Sequence, residues 1–349
     1  EMVTLKWGLA NSDNWISAYL MGKLNPYNLV RLIHSFGVRN KAIDPVVSLC
    51  LGPCEISVGE MVSAYTAFAN KGIRVAPLFV TRIEDSDGNV LSTFAPQMEE
   101  VISVSSAYKM LVMLRSVINE GTGGRVRRYG ITADMGGKTG TTNNETDKWF
   151  CGFTPYYTAS IWLGYDDNSK VLSKSISHTK IWQTIMSQIH EGLSTGEFTQ
   201  PSGIVTAQVC SQSGKLAVAG LCDEDPRGSQ VITEYFSADN VPTEECDTHV
   251  KVTICNDSGD IASAGCTNTS TRVYIKKSSS GTASDEESSY SAYDSSYAIT
   301  DEKLSRLCSL HNGSNASAVK PGSQTTEASQ AVTTPPNTAG TTAANIKKE

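Results

Sequence analysis

Two short polar motifs in this chain carry residue types that can bind and activate a charged substrate. The segment Lys138-Thr139-Gly140-Thr141 joins a fixed positive charge to hydroxyls that can bind a carboxylate. Its glycine would let a second backbone approach closely if the segment forms a strand. The segment Ser12-Asp13-Asn14 lies far upstream, before a helical stretch. Each motif alone also has a plain structural explanation, an exposed strand for the first and a helix N-cap for the second.

Capping patterns and hydrophobic periodicity predict the elements that must position these motifs. Ser57 and Glu60 form a capping-box pattern ahead of a helical run that Gly72 ends. Apolar residues at helical spacing predict three further helices, and β-branched and aromatic residues predict two paired strands. We expect these helices over 26–36, 105–119 and 178–190, and the strands over 148–153 and 158–163. This order implies an α+β fold.

Composition divides the chain into three regions. Residues 1–195 have the pattern of a packed mixed domain, and residues 196–277 predict a small cysteine-rich accessory domain of short polar strands. Residues 278–349 are rich in Ser and Thr with few large apolar groups, so this region is predicted to be a disordered tail.

Charge and hydropathy exclude two classes of function. The formal net charge is −7, and residues 221–260 alone carry a net −8, so no basic field is available for a nucleic-acid partner. No apolar run is long enough for a transmembrane helix. The first residue is Glu1 and no leader is visible, which suggests a fragment or a processed chain.

Four blocks of the sequence resemble the transpeptidase domain of class A penicillin-binding proteins, which are bifunctional enzymes that build peptidoglycan. The blocks agree with that family in order and spacing over roughly residues 1–195, and the segment after residue 200 resembles an extension found in some members. The resemblance implies the fold shared with serine β-lactamases, an antiparallel sheet flanked by helices. The four blocks are Gly8–Asn14 (GLANSDN), Leu51–Gly72, Val117–Gly124 (VINEGTGG) and Gly136–Asp167, which contains both Lys138-Thr139-Gly140 and WFCGFTP.

The resemblance implies a two-step acyl transfer, in which a serine attacks the D-Ala-D-Ala carbonyl of a stem peptide and an amine of a neighbouring strand resolves the acyl-enzyme. Ser12 would relay a proton to the leaving amine, Asn14 would hold the peptide backbone, and Lys138 would orient Ser12 and keep the site electropositive. The hydroxyls of the Thr-Gly-Thr segment would bind the substrate carboxylate, and its last N–H would form half of an oxyanion hole. The implied substrate-binding residues are Thr139, Gly140 and Thr141.

The nucleophile motif of this family, Ser-x-x-Lys, should precede Ser12, and no serine stands before that position. We therefore expect the chain to be the C-terminal part of a longer protein, without the nucleophile, the glycosyltransferase domain and the membrane anchor, and inactive alone. Three Ser-x-x-Lys matches occur in other places and are interpreted as chance: Ser106 with Lys109, Ser177 with Lys180, and Ser317 with Lys320.

The family context also implies partners and location. The partners would be peptidoglycan stem peptides, lipid-linked precursor strands and β-lactam antibiotics, with the membrane reached only through the missing N-terminal anchor. The location would be the extracytoplasmic face of the bacterial cytoplasmic membrane. No cofactor and no metal is expected.

The cysteines allow two interpretations. Six of the nine lie in the last 140 residues, which favours disulfides in an oxidising compartment, and Cys210 with Cys222 is the first pair to expect. The alternative is zinc bound by Cys246, His249, Cys255 and Cys266, whose types suit the metal but whose spacing is irregular.

Other functions stay open. A non-catalytic module that binds the cell wall would keep the fold without the chemistry, although it would not need to retain Ser12, Asn14, Lys138 and Thr139 together. A D,D-carboxypeptidase or a serine β-lactamase is a lesser alternative, and the long extension and the WFCGFTP block argue against the lactamase.

Overall fold

The computed structural model describes residues 3–128, 131–171, 177–277 and 296–311. The chain divides into two compact units, Glu1–Gly203 and Ile204–Glu349, and each is described by itself. Across the described residues, every helix is too short or too polar to span a bilayer.

The first unit extends beyond residue 195, the end of the domain expected from the sequence. The backbone N–H of Asp134 donates to the carbonyl of Gly196 at 2.8 Å. The ring of Phe198 packs edge-on against Phe153 with centroids 5.7 Å apart. Residues 196–203 therefore belong to the first unit and not to the cysteine-rich one.

Helices of the first unit begin where the sequence supplies caps. The capping box predicted for Ser57 and Glu60 is present, with both reciprocal hydrogen bonds formed. A helix also begins at Pro26, where proline's missing N–H costs nothing. The helices are α1 Leu5–Asn11, α2 Asn14–Gly22, α3 Pro26–Ser35, α4 Val58–Ala69, α5 Val104–Asn119 and α6 His178–Ile189, with 3-10 turns at Val47–Leu51 and Gly124–Arg128. The four helices predicted from the sequence are thus confirmed to within a few residues.

A three-stranded antiparallel sheet forms the centre of this unit. The strands of the unit are β1 Ile73–Val75, β2 Arg82–Glu84, β3 Val90–Thr93, β4 Met98–Glu100, β5 Gly136–Thr141, β6 Asp147–Phe153 and β7 Thr158–Gly164. The central sheet has the order β5-β6-β7, so β5 lies at an edge, and Lys138 of β5 pairs with Cys151 of β6. Small two-stranded sheets join β1 to β4 and β2 to β3. The predicted hairpin of two strands is β6 with β7.

The core of the first unit lies between this sheet and helices α5 and α6. Phe150 on β6 packs edge-on against Trp182 on α6, with ring centroids 5.0 Å apart, and both side chains are buried. The indole N–H of Trp182 donates to the carbonyl of Ala159 on β7 at 2.9 Å, so the polar atom of this large side chain is satisfied. This packing holds the sheet, and therefore edge strand β5, on a rigid support.

In its described residues the second unit consists of strands and one short helix. The elements are β8 Ile204–Cys210, β9 Val231–Ser237, β10 His249–Cys255, β11 Thr269–Lys277, β12 Ala298–Thr300 and α7 Asp301–Ser305. Strands β8 and β9 form one antiparallel pair, and a second sheet has the order β10-β11-β12, with β12 parallel to β11.

The region predicted to be a disordered tail, residues 278–349, contains strand β12 and helix α7, so the prediction is wrong for this part. Residues 298–300 pair with 275–277 of β11, and Ala298 and Ile299 are buried. A short apolar stretch within this Ser- and Thr-rich region completes the sheet. Residues 278–295 and 312–349, which include the Ser317 and Lys320 match, lie outside the described residues.

The structure also contradicts the predicted Cys210–Cys222 disulfide. All nine cysteines, each of which is described, are free thiols. Cys210 and Cys222 instead join Cys246 and His249 in one cluster of potential metal ligands. The sequence-based zinc set is wrong as well, because Cys255 belongs to a different cluster from His249.

Candidate active site

Ser12 lies at the corner between helices α1 and α2. It ends α1 in the left-handed conformation, with φ 56° and ψ 45°. Asp13 then caps α2 by accepting a hydrogen bond from the N–H of Ile16 at 2.9 Å. The N-cap role is therefore held by Asp13, which leaves the hydroxyl of Ser12 free of a capping function. A non-glycine residue in this conformation costs roughly 1 kcal/mol, which is typical of positions held for another reason.

Lys138 extends from edge strand β5 to this corner. Its Nζ donates to Oγ of Ser12 at 2.8 Å and to the carbonyl of Thr139 at 2.9 Å. The two motifs, which lie 126 residues apart in the sequence, therefore meet at one point, as the family resemblance implied.

Burial changes the acidity of the Lys138 ammonium. The side chain is mostly surrounded by protein, and this desolvation lowers its pKa from 10.5 to about 8. At neutral pH the group remains mainly protonated, yet it can lose its proton far more readily than an exposed lysine. A lysine of this kind can both hold a negative charge and take part in proton transfer.

Glycines at the start of β5 allow the strand to lie close against its neighbours. A Cβ added to Gly137 would lie 2.7 Å from the carbonyl oxygen of Cys151 and 2.8 Å from the ring of Phe150. A Cβ on Gly136 would lie 2.7 Å from the ring of Phe153. Only glycine fits at these two positions, which explains why they precede Lys138 in the sequence.

A loop after helix α5 joins the two halves of the site. The hydroxyls of Thr122 and Thr139 are hydrogen-bonded at 2.8 Å, and the N–H of Thr122 donates to the carbonyl of Ala10 at 3.0 Å. A Cβ on Gly121 would lie 2.1 Å from that same carbonyl oxygen, so glycine is required for this approach. The sequence reasoning did not identify Thr122, although the glycine-rich run that follows α5 signals a close backbone contact.

The other predicted site residues are Asn14, Gly140 and Thr141, and they make fewer contacts than Ser12, Lys138 and Thr139. Asn14 is the first residue of α2 and is exposed, and no hydrogen bond of its side chain is found within the described residues. Gly140 and Thr141 complete β5 opposite Trp149 and Lys148 of β6. Their substrate-binding roles stay predictions.

Two of the Ser-x-x-Lys matches lie within the described residues. Ser106 is in the first turn of α5, where its hydroxyl accepts a hydrogen bond from that of Ser103 at 3.0 Å. Ser177 lies at the N-cap position of α6. Neither serine has a hydrogen bond to the Lys138 ammonium, whose partners are Ser12 and Thr139.

Comparison with protein families identifies two matching models. The model described as "Penicillin binding protein transpeptidase domain" matches residues 1–187, and the model described as "Penicillin-binding protein 1A, C-terminal domain" matches residues 200–251. The first match lies within the first unit, and the second covers the last residues of that unit and the beginning of the second unit.

Curated relatives agree with these matches. The chain is 31% identical over 319 residues to penicillin-binding protein 1A of Clostridium novyi (strain NT), covering 89% of this chain and 36% of the relative. It is 34% identical over 221 residues to penicillin-binding protein 1A of Clostridium perfringens (strain ATCC 13124), covering 63% of this chain and 26% of the relative. The chain thus spans about a third of the length of the relatives it matches, or less.

Solved structures share the fold. Penicillin-binding protein 1A from Haemophilus influenzae matches with a TM-score of 0.62 and 24% identity, over 70% of this chain and 41% of that chain. The PonA1 protein from Mycobacterium tuberculosis in complex with penicillin V matches with a TM-score of 0.51 and 24% identity, over 57% of this chain and 59% of that chain. Since the transpeptidase model covers more than half of the sequence, the chain belongs to the penicillin-binding protein transpeptidase family, in its class A branch.

Proposed function

We propose that this chain is the D,D-transpeptidase module of a peptidoglycan-synthesising penicillin-binding protein. The observation that carries the proposal is the hydrogen bond of 2.8 Å from the Lys138 ammonium to the Ser12 hydroxyl, at the edge of the sheet. Membership of the transpeptidase family supports the reaction class.

The reaction proceeds through two acyl transfers. A serine hydroxyl attacks the carbonyl of the penultimate D-Ala of a stem peptide, and the C–N bond to the terminal D-Ala breaks as its nitrogen takes up a proton. An amine of a neighbouring strand then attacks the ester, forming the cross-link and returning the proton to the serine. The bond energy comes from the peptide itself, so no nucleotide is needed.

Ser12 delivers the proton to the leaving nitrogen. Since the Lys138 ammonium donates to Oγ of Ser12, the hydroxyl proton of Ser12 can point away from the lysine towards that nitrogen. Lys138, with a pKa of about 8, can replace the proton after it has left. The left-handed backbone of Ser12 supports this role. Glycine or asparagine would adopt this conformation at a lower cost but has no hydroxyl, so a serine at this position points to a need for the hydroxyl group.

The stem peptide binds as an additional strand. β5 pairs with β6 on one side only, so within the described residues its other edge is available to an extended chain. Thr139 and Thr141 are the hydroxyl groups for the substrate carboxylate, and Thr122 fixes Thr139 through the bond of 2.8 Å. Asn14 holds the peptide backbone from the side of α2.

The acylated serine comes from outside residues 1–349. The Ser-x-x-Lys matches at Ser106 and Ser177 lie at helix starts, and neither serine bonds to the Lys138 ammonium. The curated relatives are about three times as long as the matched segment, which leaves room for the motif. We expect no covalent labelling of the 349-residue chain by a fluorescent penicillin, and labelling at Ser106, Ser177 or Ser317 would overturn this part of the proposal.

The module works on the extracytoplasmic face of the cytoplasmic membrane, where its peptidoglycan substrates are. Lipid-linked precursor strands are the donors of stem peptides, and β-lactams are the acylating inhibitors. The solved structure of PonA1 in complex with penicillin V, which shares the fold, supports this class of ligand.

Incubation of the full-length protein with a pentapeptide-bearing precursor tests the proposal. We expect D-Ala release together with cross-linked dimers, and loss of both with Ser12→Ala. D-Ala release without any dimer, in the presence of an acceptor amine, would instead favour a D,D-carboxypeptidase. Wall binding with neither product would favour the non-catalytic module.

A further inference from the structure

The second unit contains two clusters, each of three cysteines and one histidine, that the transpeptidase reaction does not use. In each cluster the ligand atoms of all four residues lie within 4.8 Å of one another. The first cluster, called site A, is Cys210, Cys222, Cys246 and His249; the second, called site B, is Cys255, Cys266, Cys308 and His311.

All four residues of site A are buried, and its histidine is oriented towards the thiols. Nδ1 of His249 lies 3.4 Å from Sγ of Cys246 and 3.6 Å from Sγ of Cys210. Its other ring nitrogen, Nε2, lies 2.8 Å from a carboxylate oxygen of Asp225, and both side chains have no exposed surface. With Nε2 donating to the carboxylate, Nδ1 presents its lone pair to the centre of the cluster.

Site B repeats this arrangement. Nδ1 of His311 lies 3.4 Å from Sγ of Cys255 and 3.4 Å from Sγ of Cys308. Its Nε2 lies 3.4 Å from a carboxylate oxygen of Asp257. Both histidines thus have a carboxylate on the far side of the ring, which is one of the partners that the second ring nitrogen of a metal-binding histidine usually has.

The backbone around the two sites is an internal duplication. Residues 209–220 (VCSQSGKLAVAG) and 254–265 (ICNDSGDIASAG) share their pattern. Cys210 and Cys255 each end a strand and accept a hydrogen bond of 2.8 Å from the N–H of Gly214 and Gly259, whose φ values are 71° and 73°. The first cysteine of each site is therefore presented by the same turn.

The remaining ligands are held in matching ways. The N–H of Cys246 donates to the carbonyl of Leu216 at 2.8 Å, and the N–H of Cys308 donates to the carbonyl of Ile261 at 2.7 Å. In site A the Sγ of Cys222 accepts from a backbone N–H at 3.3 Å, as Cys266 does in site B. Two separate segments reproducing one ligand set argue against a chance cluster of cysteines.

The dimensions fit a tetrahedral metal. With metal–sulfur bonds of about 2.3 Å and metal–nitrogen bonds of about 2.0 Å, a tetrahedral site separates its ligand atoms by about 3.5 to 3.8 Å. The sulfur–nitrogen distances of 3.4 to 3.6 Å agree with this value. Three thiolates and an imidazole are a zinc donor set, and four protein ligands leave no open position for a substrate.

The second unit also needs such a crosslink to be stable. Five of its eleven buried hydrophobic residues in the described part of the chain are cysteines of these sites, and none is aromatic. A core of this kind is too small to hold a short β domain by itself, and structural metals are one of the usual remedies. We propose that sites A and B each bind one structural zinc ion and that these ions, instead of disulfides, hold the second unit folded.

Zinc content of the untagged 349-residue chain, purified without chelator or added metal, tests the proposal directly. Elemental analysis should give two zinc ions per chain. Cys222→Ser and Cys266→Ser should each retain one, the double variant none, and the control Cys50→Ser, outside both sites, should retain two. Zinc-free protein in which peptide mapping finds Cys210–Cys222 and Cys255–Cys266 disulfides would overturn the proposal, as would two zinc ions in the double variant.

A titration of the reduced, metal-free chain with cobalt(II) under argon tests metal binding even where zinc is lost during purification. We expect the visible absorption of tetrahedral cobalt and thiolate charge-transfer bands to saturate at two equivalents, with one equivalent for each single variant. Asp225→Asn should weaken zinc binding at site A by about 10- to 100-fold and leave site B unchanged. Octahedral cobalt spectra without charge-transfer bands would contradict thiolate ligation.

A separate folding measurement distinguishes structural ions from surface-bound ones. All five tryptophans lie in the first unit, so their fluorescence reports on that unit, whereas the circular dichroism of strands also reports on the second. Chelation should reduce the strand signal without changing the tryptophan emission. Removal of both ions with no change in either signal would contradict the structural role, and none of these results depends on transpeptidase activity.

Discussion

Lys138→Met should make the first unit more stable while removing its proposed chemistry. The lysine carries its charge in a mostly buried position, which lowers its pKa from 10.5 to about 8. Since a difference of one in pKa corresponds to about 1.4 kcal/mol, holding the charge in the folded state costs roughly 3 kcal/mol. Methionine has a similar length and no charge.

The net gain should be smaller than this figure. Solvent still reaches part of the ammonium, and the substitution removes its hydrogen bonds to Ser12 and to the Thr139 carbonyl, although both acceptors can bond to water. We therefore expect Lys138→Met to raise the free energy of unfolding of the first unit by about 1 to 2 kcal/mol at neutral pH.

The difference in unfolding free energy between Lys138→Met and the wild-type protein should depend on pH. Below about pH 8 both the folded and the unfolded chain hold the lysine proton, so the full penalty applies. Between about pH 8 and 10.5 the folded state binds fewer protons than the unfolded state, so the wild-type protein gains stability with rising pH relative to the variant. The advantage of methionine should therefore be largest at neutral pH and shrink towards about pH 10.

Urea unfolding of the 349-residue chain, followed by tryptophan fluorescence, measures this difference in unfolding free energy for the first unit alone, because all five tryptophans of the chain lie there. Lys41→Met, which replaces an exposed lysine of the same unit, is the matched control and should not change with pH in this way. A Lys138→Met protein less stable than wild type at neutral pH, or an advantage that grows with pH, would refute the reasoning from burial.

Other measurements test separate parts of the site. Acylation of the full-length protein by penicillin should slow as pH rises through about 8, where Lys138 loses its proton, and Lys138→Arg, although slower, should lose this pH dependence. An unchanged profile in the arginine variant would count against the lysine as the titrating group. Gly121→Ala should lower both stability and acylation, because its Cβ would lie 2.1 Å from the Ala10 carbonyl, whereas Gly59→Ala, with nothing within 4 Å, should be neutral or stabilising. Equal thermal midpoints for the two glycine variants would contradict the close approach. Ser106→Ala should acylate at the wild-type rate, and a loss of labelling would assign the nucleophile to that helix.

Local patterns predicted the elements of the first unit well, because caps and periodicity act over a few residues. The capping box at Ser57 and the proline at position 26 mark real helix starts. The meeting of Ser12 and Lys138 was also predictable, but from family resemblance and not from spacing. The role of Thr122 could not be predicted, since its neighbour Gly121 is required only because helix α1 lies so close.

The second unit was predicted less well because its interactions are long-range. Cysteine spacing along the chain does not reveal that Cys222 approaches Cys246, or that Cys266 approaches Cys308 across the 278–295 segment. Strand β12 was hidden in a polar region, and only its parallel pairing with β11 gives it structure. The duplicated VCSQSG and ICNDSG segments were the available signal, since a repeated pattern implies a repeated site.

The rate constant of acylation by a fluorescent penicillin, compared between the full-length wild-type protein and its Lys138→Ala variant, tests the central claim most directly. The claim is that the Lys138 ammonium and the Ser12 hydroxyl form the proton-transfer and charge-binding part of an acyl-transfer site. We predict a decrease of about 100-fold or more in the variant, with its tryptophan emission unchanged as evidence of folding. A folded Lys138→Ala protein that is acylated at the wild-type rate would contradict the claim.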